Sequence, residues 1–319
     1  MFAFLKKLFG PKTEPPNGPA TPSPTSPTLP LKGDPDATVP LPELVSSRPS
    51  PDSLKSKLAP PSKTRFTIGI AQDVGQVRPH NEDVLLVFTG ELGGLEPMPN
   101  FGLFIVADGM GGHSLGERAS GLAARRIAQV TLDQILPSLL APPDADIERP
   151  LLTEVLENAM VAANRAVVAG VPEGGTTLTG ALIIGDQLVL THVGDTRAYL
   201  IAEGQFEQLT RDHSLVQRLK ELGQITDDEA AVHPQRSVLY RAVGQGDGLE
   251  VDVISRRLPP GALLLLCSDG LWSLVPDTLI LEIVRQSTSL QAACDALVKA
   301  ANDAGGPDNI SAIMVQMPG

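Results

Sequence analysis

Phe101-Gly-Leu-Phe-Ile-Val-Ala-Asp108-Gly-Met-Gly-Gly112 sets the reading of this chain. Leu103–Ala107 is an unbroken apolar run of strand length, as expected of a strand buried on both faces. A carboxylate closes it, and a glycine-rich turn follows. Next comes a helix from Leu115, with Ser114 and Glu117 at capping-box spacing. Upstream, Phe66–Gln72 and Val84–Phe88 have the same strand character. Downstream, a helical face recurs over residues 151–169 through Leu152, Val155, Leu156, Ala159, Met160 and Ala163. Strands then follow at Leu178–Ile184, Gln187–Val193, Arg197–Ile201 and Phe206–Leu209, joined by hairpin turns at Gly185-Asp186 and Glu203-Gly204. Short helices fit Leu215–Leu222 and Asp227–Ala231, and strands fit Leu249–Ile254, Ala262–Cys267 and Ile310–Gln316. Further helices fit Asp277–Gln286 and Leu290–Ala304. Hairpin-joined strands with paired helices predict antiparallel sheets covered by helices, not alternating βαβ units.

Acids sit at the strand mouths. Besides Asp108, Asp269 follows Leu263–Ser268 and enters Gly270. Asp308 precedes the last strand within Gly305-Gly306-Pro307-Asp308-Asn309. Asp195 follows a strand in Gly194-Asp195-Thr196-Arg197, and Glu82 and Asp83 precede the second strand. One Asp-Gly pair is an ordinary turn. Acids at five strand mouths would, if they converged, repel one another unless a cation lay between them, and an all-oxygen set suits Mg²⁺ or Mn²⁺ rather than zinc. Arg78, five residues before Asp83, has the planar donor fork of a phosphate clamp.

The rest of the composition narrows the class. Of 29 prolines in 319 residues, 15 lie in residues 1–63, where apolar residues follow no period. That segment predicts a disordered Pro/Ser/Thr-rich tail and linker, leaving 64–319 as the folded domain. The tail has eight basic and five acidic residues (+3), so residues 64–319 hold 17 basic and 32 acidic ones (−15). Such a balance argues against nucleic acid as partner. Two cysteines cannot build a disulfide framework. Met1–Gly10 (MFAFLKKLFG) is too short to cross a bilayer and lacks a signal peptide's apolar core. It reads as a frayed terminus in preference to a membrane-surface tip. A cytoplasmic monomer is the expectation.

Six motifs occur in order: Arg78-Pro-His-Asn-Glu82-Asp83; Asp108-Gly-Met-Gly-Gly-His113; Gly175-Thr176-Thr177; Gly194-Asp195-Thr196-Arg197; Ser268-Asp269-Gly270; and Gly306-Pro307-Asp308-Asn309. Together they resemble the metal-dependent serine/threonine protein phosphatases of type 2C, over about Phe66–Gln316. Leu209–Ser214 and His233–Ser237 resemble the flap of bacterial members. The resemblance implies an α+β fold, a four-layer α-β-β-α sandwich of two antiparallel sheets flanked by helices. Carried over residue by residue, it implies that Asp83, Asp108, the Gly109 carbonyl, Asp269 and Asp308 hold two Mn²⁺ or Mg²⁺ ions, with Glu82 supporting the same shell. It puts Asp195, with Asp269, at a third, weaker metal, and Thr176 and Asn309 behind the ligands. Arg78 would grip the phosphate of a phosphorylated protein, a water bridging the metals would attack as hydroxide, and the partners would be Ser/Thr kinases and their targets. Animal members carry His where this chain has Met110, so the proton for the leaving group could come from His113 or from water.

Other chemistries fit less well. Cys-x₅-Arg fails at both cysteines, since Ser273 and Ala300 occupy the Arg positions. Gly112-His113-Ser114-Leu115-Gly116 has the form of a serine-hydrolase elbow, with Asp195 and His213 or His233 as partners, but Asp108–His113 separates Ser114 from its strand. A phosphatase-like regulatory module is disfavoured because every ligand position is present. His192 and Trp272 read as structural and core residues.

Overall fold

The computed structural model describes residues 65–93, 98–111, 115–142 and 144–319. The tail, the Ser114 cap, His113 and the Gly112–Gly116 elbow therefore fall wholly or partly outside the described residues.

Two antiparallel sheets form the centre. One runs β1 (Thr67–Asp73), β11 (Ile310–Gln316), β10 (Leu263–Cys267), β7 (Arg197–Ala202) and β8 (Gln205–Gln208). The other runs β2 (Asp83–Gly90), β3 (Phe101–Met110), β5 (Leu178–Ile184), β6 (Gln187–Val193) and β9 (Asp252–Arg257), with β4 (Gly175–Thr176) paired to the end of β3. Helices α1 (Leu115–Leu140) and α2 (Leu152–Gly170) cover the second sheet, and α6 (Asp277–Gln286) and α7 (Leu290–Asp303) cover the first.

The period-2 geometry of a strand explains the continuous apolar runs. Along β3, Leu103, Ile105 and Ala107 pack under α1 and α2, while Phe104 and Val106 face the opposite sheet. Along β10, Leu264 and Leu266 enter the inter-sheet core, while Leu265 and Cys267 face α7. With both faces buried, no polar alternation is left to read. Truncating such a side chain to Ala costs about 2–5 kcal/mol.

Strand ends depart from expectation in three places. β3 does not stop before Asp108 but continues through it to Met110, because β2 pairs Asp83 with Asp108 and β4 pairs Thr176 with Gly109. The strand predicted at Leu249–Ile254 begins at Asp252, where pairing with His192 starts; Leu249 and Val251 still pack on the core without partners. Asp269 opens a four-residue helical turn, α5 (Asp269–Trp272), not foreseen from the sequence. Two short helices, α3 (Leu215–Glu221) and α4 (Asp227–Ala231), lie in the flap, capped by Ser214 and by a Thr226–Glu229 capping box.

β1 is an outer strand of its sheet. The side-chain amide of Gln291 occupies its open side, accepting from Ile70 N at 3.1 Å and donating to Ile70 O at 2.7 Å. The amide thus stands where the backbone of another strand would pair. Among the described residues no helix is long and apolar enough to cross a membrane.

Candidate active site

Antiparallel pairing brings the acids together. The start of β2, the end of β3, the β6–β7 turn, the end of β10 and the start of β11 all lie at one end of the sandwich. Asp83, Asp108, Asp195, Asp269 and Asp308 occupy those positions. Asp83 and Asp108 are direct cross-strand partners, an arrangement of like charges that destabilises a sheet. Asp108 shares the face of Phe104 and Val106, so the acids cap the inter-sheet core.

Asp108, Asp195, Asp269 and Asp308 border a cleft of about 250 Å³ together with Arg78, Glu82, Gly109, Met110, Thr177, Ser237 and Leu239, and Asp83 lies behind this lining as the cross-strand partner of Asp108. Burial pushes Asp83 up to about 7 and Asp269 up to about 6, and neighbouring carboxylates add to both shifts. Burial is also the main cause that raises Asp108 and Asp195, followed by the charge of Asp83 on Asp108 and of Asp269 on Asp195. Both carboxylate oxygens of Asp83 and Oδ1 of Asp269 are buried without a hydrogen-bond partner. Such groups are costly unless something satisfies them, and an oxygen-rich, electron-dense ring of this kind fits a hard divalent cation. Among the described residues, no three carboxylate, imidazole or thiol groups form a ready-made chelate; the acids ring the cleft.

The backbone behind the acids is tied down. Asn309 Oδ1 accepts from Glu82 N at 2.7 Å, while its Nδ2 donates to Val74 O (2.9 Å) and His80 O (3.0 Å). Thr176 Oγ1 donates to Asp108 O at 2.8 Å, and Asp108 N donates to Thr177 Oγ1 at 3.1 Å. Ser120 Oγ, on α1, donates to Glu82 O at 2.6 Å. Gly109 has no room for a side chain, because a Cβ there would stand 2.3 Å from Gly116 O. The Gly194 backbone has φ +112°, and a Cβ there would meet Thr177 at 2.5 Å. Arg78 Nη2 donates to Asp308 Oδ2 at 2.6 Å, and that bond holds its pKa above the usual arginine value.

Several contacts around the site left no signal in the sequence. Arg197 is fixed by Asp212, and its guanidinium lies over Trp272, whose indole donates to Asp195 O at 2.9 Å. Trp272, read as plain core, is only half-buried. His213 is held by two contacts: its Nδ1 accepts from Gly194 N at 3.1 Å and its Nε2 faces Asp252 Oδ2 at 3.2 Å. Ser237 and Leu239 bring the flap to the cleft, where Leu239 bridges back to Ser214. These contacts join residues far apart in sequence, and no periodicity encodes them.

Carboxylates ringing one end of a helix-covered double sheet, with an arginine at their rim, define a metal-dependent phosphate-ester hydrolase. The sequence model of protein phosphatase 2C matches residues 82–310, and the chain belongs to that family of metal-dependent serine/threonine protein phosphatases. It is 37% identical over 245 residues to the serine/threonine phosphatase stp of Listeria welshimeri, spanning 76% of this chain and 93% of that one. The crystal structure of the serine/threonine phosphatase PstP/Ppp of Mycobacterium tuberculosis superposes with a TM-score of 0.66 at 33% identity, covering 80% of this chain and 99% of that one. A structure of the PstP catalytic domain in complex with two manganese ions gives 0.64 at 32% identity, covering 79% and 97%. The protein is thus an enzyme that hydrolyses phosphoserine and phosphothreonine in proteins.

Proposed function

We propose that residues 64–319 form the catalytic domain and that Asp83, Asp108, the Gly109 carbonyl, Asp269 and Asp308 hold two Mn²⁺ or Mg²⁺ ions, with Glu82 behind them and Asp195 beside a third, weaker ion. The observation that carries this is the set of buried, unpartnered oxygens on Asp83 and Asp269. When bound, the ions supply the charge that makes water nucleophilic at neutral pH and offsets the charge of the phosphate. The chain does the rest. Asn309, Thr176 and Thr177 hold the ligand-bearing backbone still. Arg78, half-exposed at the rim, turns its fork from Asp308 to the phosphate oxygens and orients the ester. No side chain needs to become phosphorylated. Residues 1–63 serve as a linker, and the enzyme reverses the work of Ser/Thr kinases on their targets.

The test is hydrolysis of p-nitrophenyl phosphate and a phosphothreonine peptide by the full chain, after EDTA and after Mn²⁺ is restored. Activity that disappears with EDTA, returns with Mn²⁺ and is absent from Asp269→Asn supports the assignment. A folded Asp269→Asn protein with undiminished activity overturns it.

A further inference from the structure

One contact joins two members of the acid ring through a residue that the reaction itself does not use. Asp269 opens the α5 turn and Trp272 closes it. The indole Nε1–H of Trp272 donates to the backbone carbonyl of Asp195 at 2.9 Å. The ring is not free to turn away, because the Arg197 guanidinium lies 3.5 Å above its centroid. Asp212 holds that guanidinium through contacts of 3.0 Å, 3.2 Å and 2.7 Å, and Arg197 donates to the Tyr199 hydroxyl at 3.0 Å. Asp212 and Arg197 are mostly buried, at 5% and 17% side-chain exposure. A forked guanidinium–carboxylate pair in such surroundings is a rigid support. Asp212 also stands at the root of the flap, next to His213, whose backbone N–H donates to Gly194 O at 2.7 Å.

We propose that Trp272 is a positioning residue that sets where the Asp195 carboxylate stands relative to Asp269, and thereby the affinity of the outer part of the site for divalent metal. This rests on the reading of Asp195 and Asp269 as metal neighbours given above. An indole N–H is costly to bury without an acceptor, and this one takes its acceptor from the backbone of the acid ring itself. Here the ring is half-buried and its N–H makes a bond of good length to the residue that bears the carboxylate. Chelation tolerates misplacement of about half an ångström, so a single bond to the backbone of a ligand-bearing turn matters.

Trp272 is the chain's single tryptophan, so its emission reports on this contact. The experiment uses the full chain. Mg²⁺, which does not quench paramagnetically, is titrated into the metal-free protein while emission and melting temperature are followed. The emission is expected to change over the same concentration range that raises the melting temperature. Trp272→Phe keeps a ring under Arg197 and deletes the N–H. Its half-maximal Mn²⁺ concentration, for both the melting-temperature rise and hydrolysis, is expected to increase by about five- to tenfold. Turnover at saturating Mn²⁺ is expected to return to within about twofold of wild type. Unchanged midpoints in Trp272→Phe overturn the proposal, as does wild-type emission that ignores Mg²⁺ while the melting temperature rises; the second readout decides the matter if the variant does not fold. A wild type that shows neither a metal-dependent melting temperature nor hydrolysis overturns the phosphatase site itself, and this proposal with it.

Discussion

Arg78 and Asp308 meet across the mouth of the cleft, Nη2 to Oδ2 at 2.6 Å, although 230 residues separate them. The same guanidinium is needed for phosphate, and the same carboxylate for metal. Replacing Arg78 with Ala should therefore act in opposite directions on the two ligands. We expect kcat/KM for a phosphopeptide to fall about 100-fold, while Mn²⁺ binds more tightly because a neighbouring positive charge is gone. Calorimetric Mn²⁺ titration beside steady-state kinetics measures both. Weaker Mn²⁺ binding in Arg78→Ala would contradict this account of the pair.

Asp83 gives the site a distinctive pH response. Its folded pKa is raised to about 7 from an ordinary value near 3.8, chiefly by burial. A raised carboxyl favours the folded state while protonated, so the metal-free protein loses that stability as pH rises from about 4 to about 7. Asp269, raised to about 6, acts in the same direction. Divalent metal should raise the melting temperature more at pH 8 than at pH 5.5, where protons compete for the same oxygens. Asp83→Asn should stabilise the metal-free protein at pH 8 by a few kcal/mol while removing most activity. Thermal melts with and without Mn²⁺ at the two pH values check both statements.

His192 sets the acid side of the stability curve. It is fully buried between Thr179 Oγ1 (2.9 Å) and Arg211 O (3.0 Å), and burial pushes its pKa down to about 3, with His213 assisting. A depressed base is neutral when folded and charged when unfolded below its ordinary value near 6.5. Stability from this group is thus full above pH 6.5 and declines toward pH 3, by up to ~1.4 kcal/mol per pH unit. Denaturant melts of His192→Gln should show a shallower decline across that window, and an identical slope would count against it.

Gln291 makes a separate prediction far from the cleft. Its amide satisfies both Ile70 backbone groups on an outer strand. Gln291→Ala should cost about 1 kcal/mol and leave kcat/KM unchanged, while opening strand β1 to pairing with a second molecule. Light scattering during storage near 40 °C is the readout, and a variant as dispersed as wild type would argue that the edge is protected otherwise.

How much of this was legible beforehand follows from the kind of signal each part leaves. The β5–β8 hairpins show because both strands and both turns are local and the turn residues are distinctive. The acid ring shows because every member interrupts an apolar strand at its end. The end of β3 was misplaced because Asp108 and Gly109 gain their strand character from Asp83 and Thr176, which are remote in sequence. The α5 turn has only four residues, too few to display a helical period. Arg197–Asp212, Trp272–Asp195 and His213–Gly194 are single contacts between polar groups, and neither propensity nor hydrophobic patterning records them.

Strands β1 and β11 are partners from Thr67 opposite Gln316 to Asp73 opposite Ile310. The cleft draws Asp83 from near the first of these and Asp308 from just before the second. On a ribosome, β1 therefore emerges long before β11, the strand it pairs with. A nascent chain halted before Ile310 carries all four innermost acids, Asp83, Asp108, Asp269 and Asp308, yet lacks the strand that fixes Asp308 in the sheet. Catalytic competence should appear abruptly, as β11 clears the exit tunnel, and a cell would meet no partly active shorter product before that point.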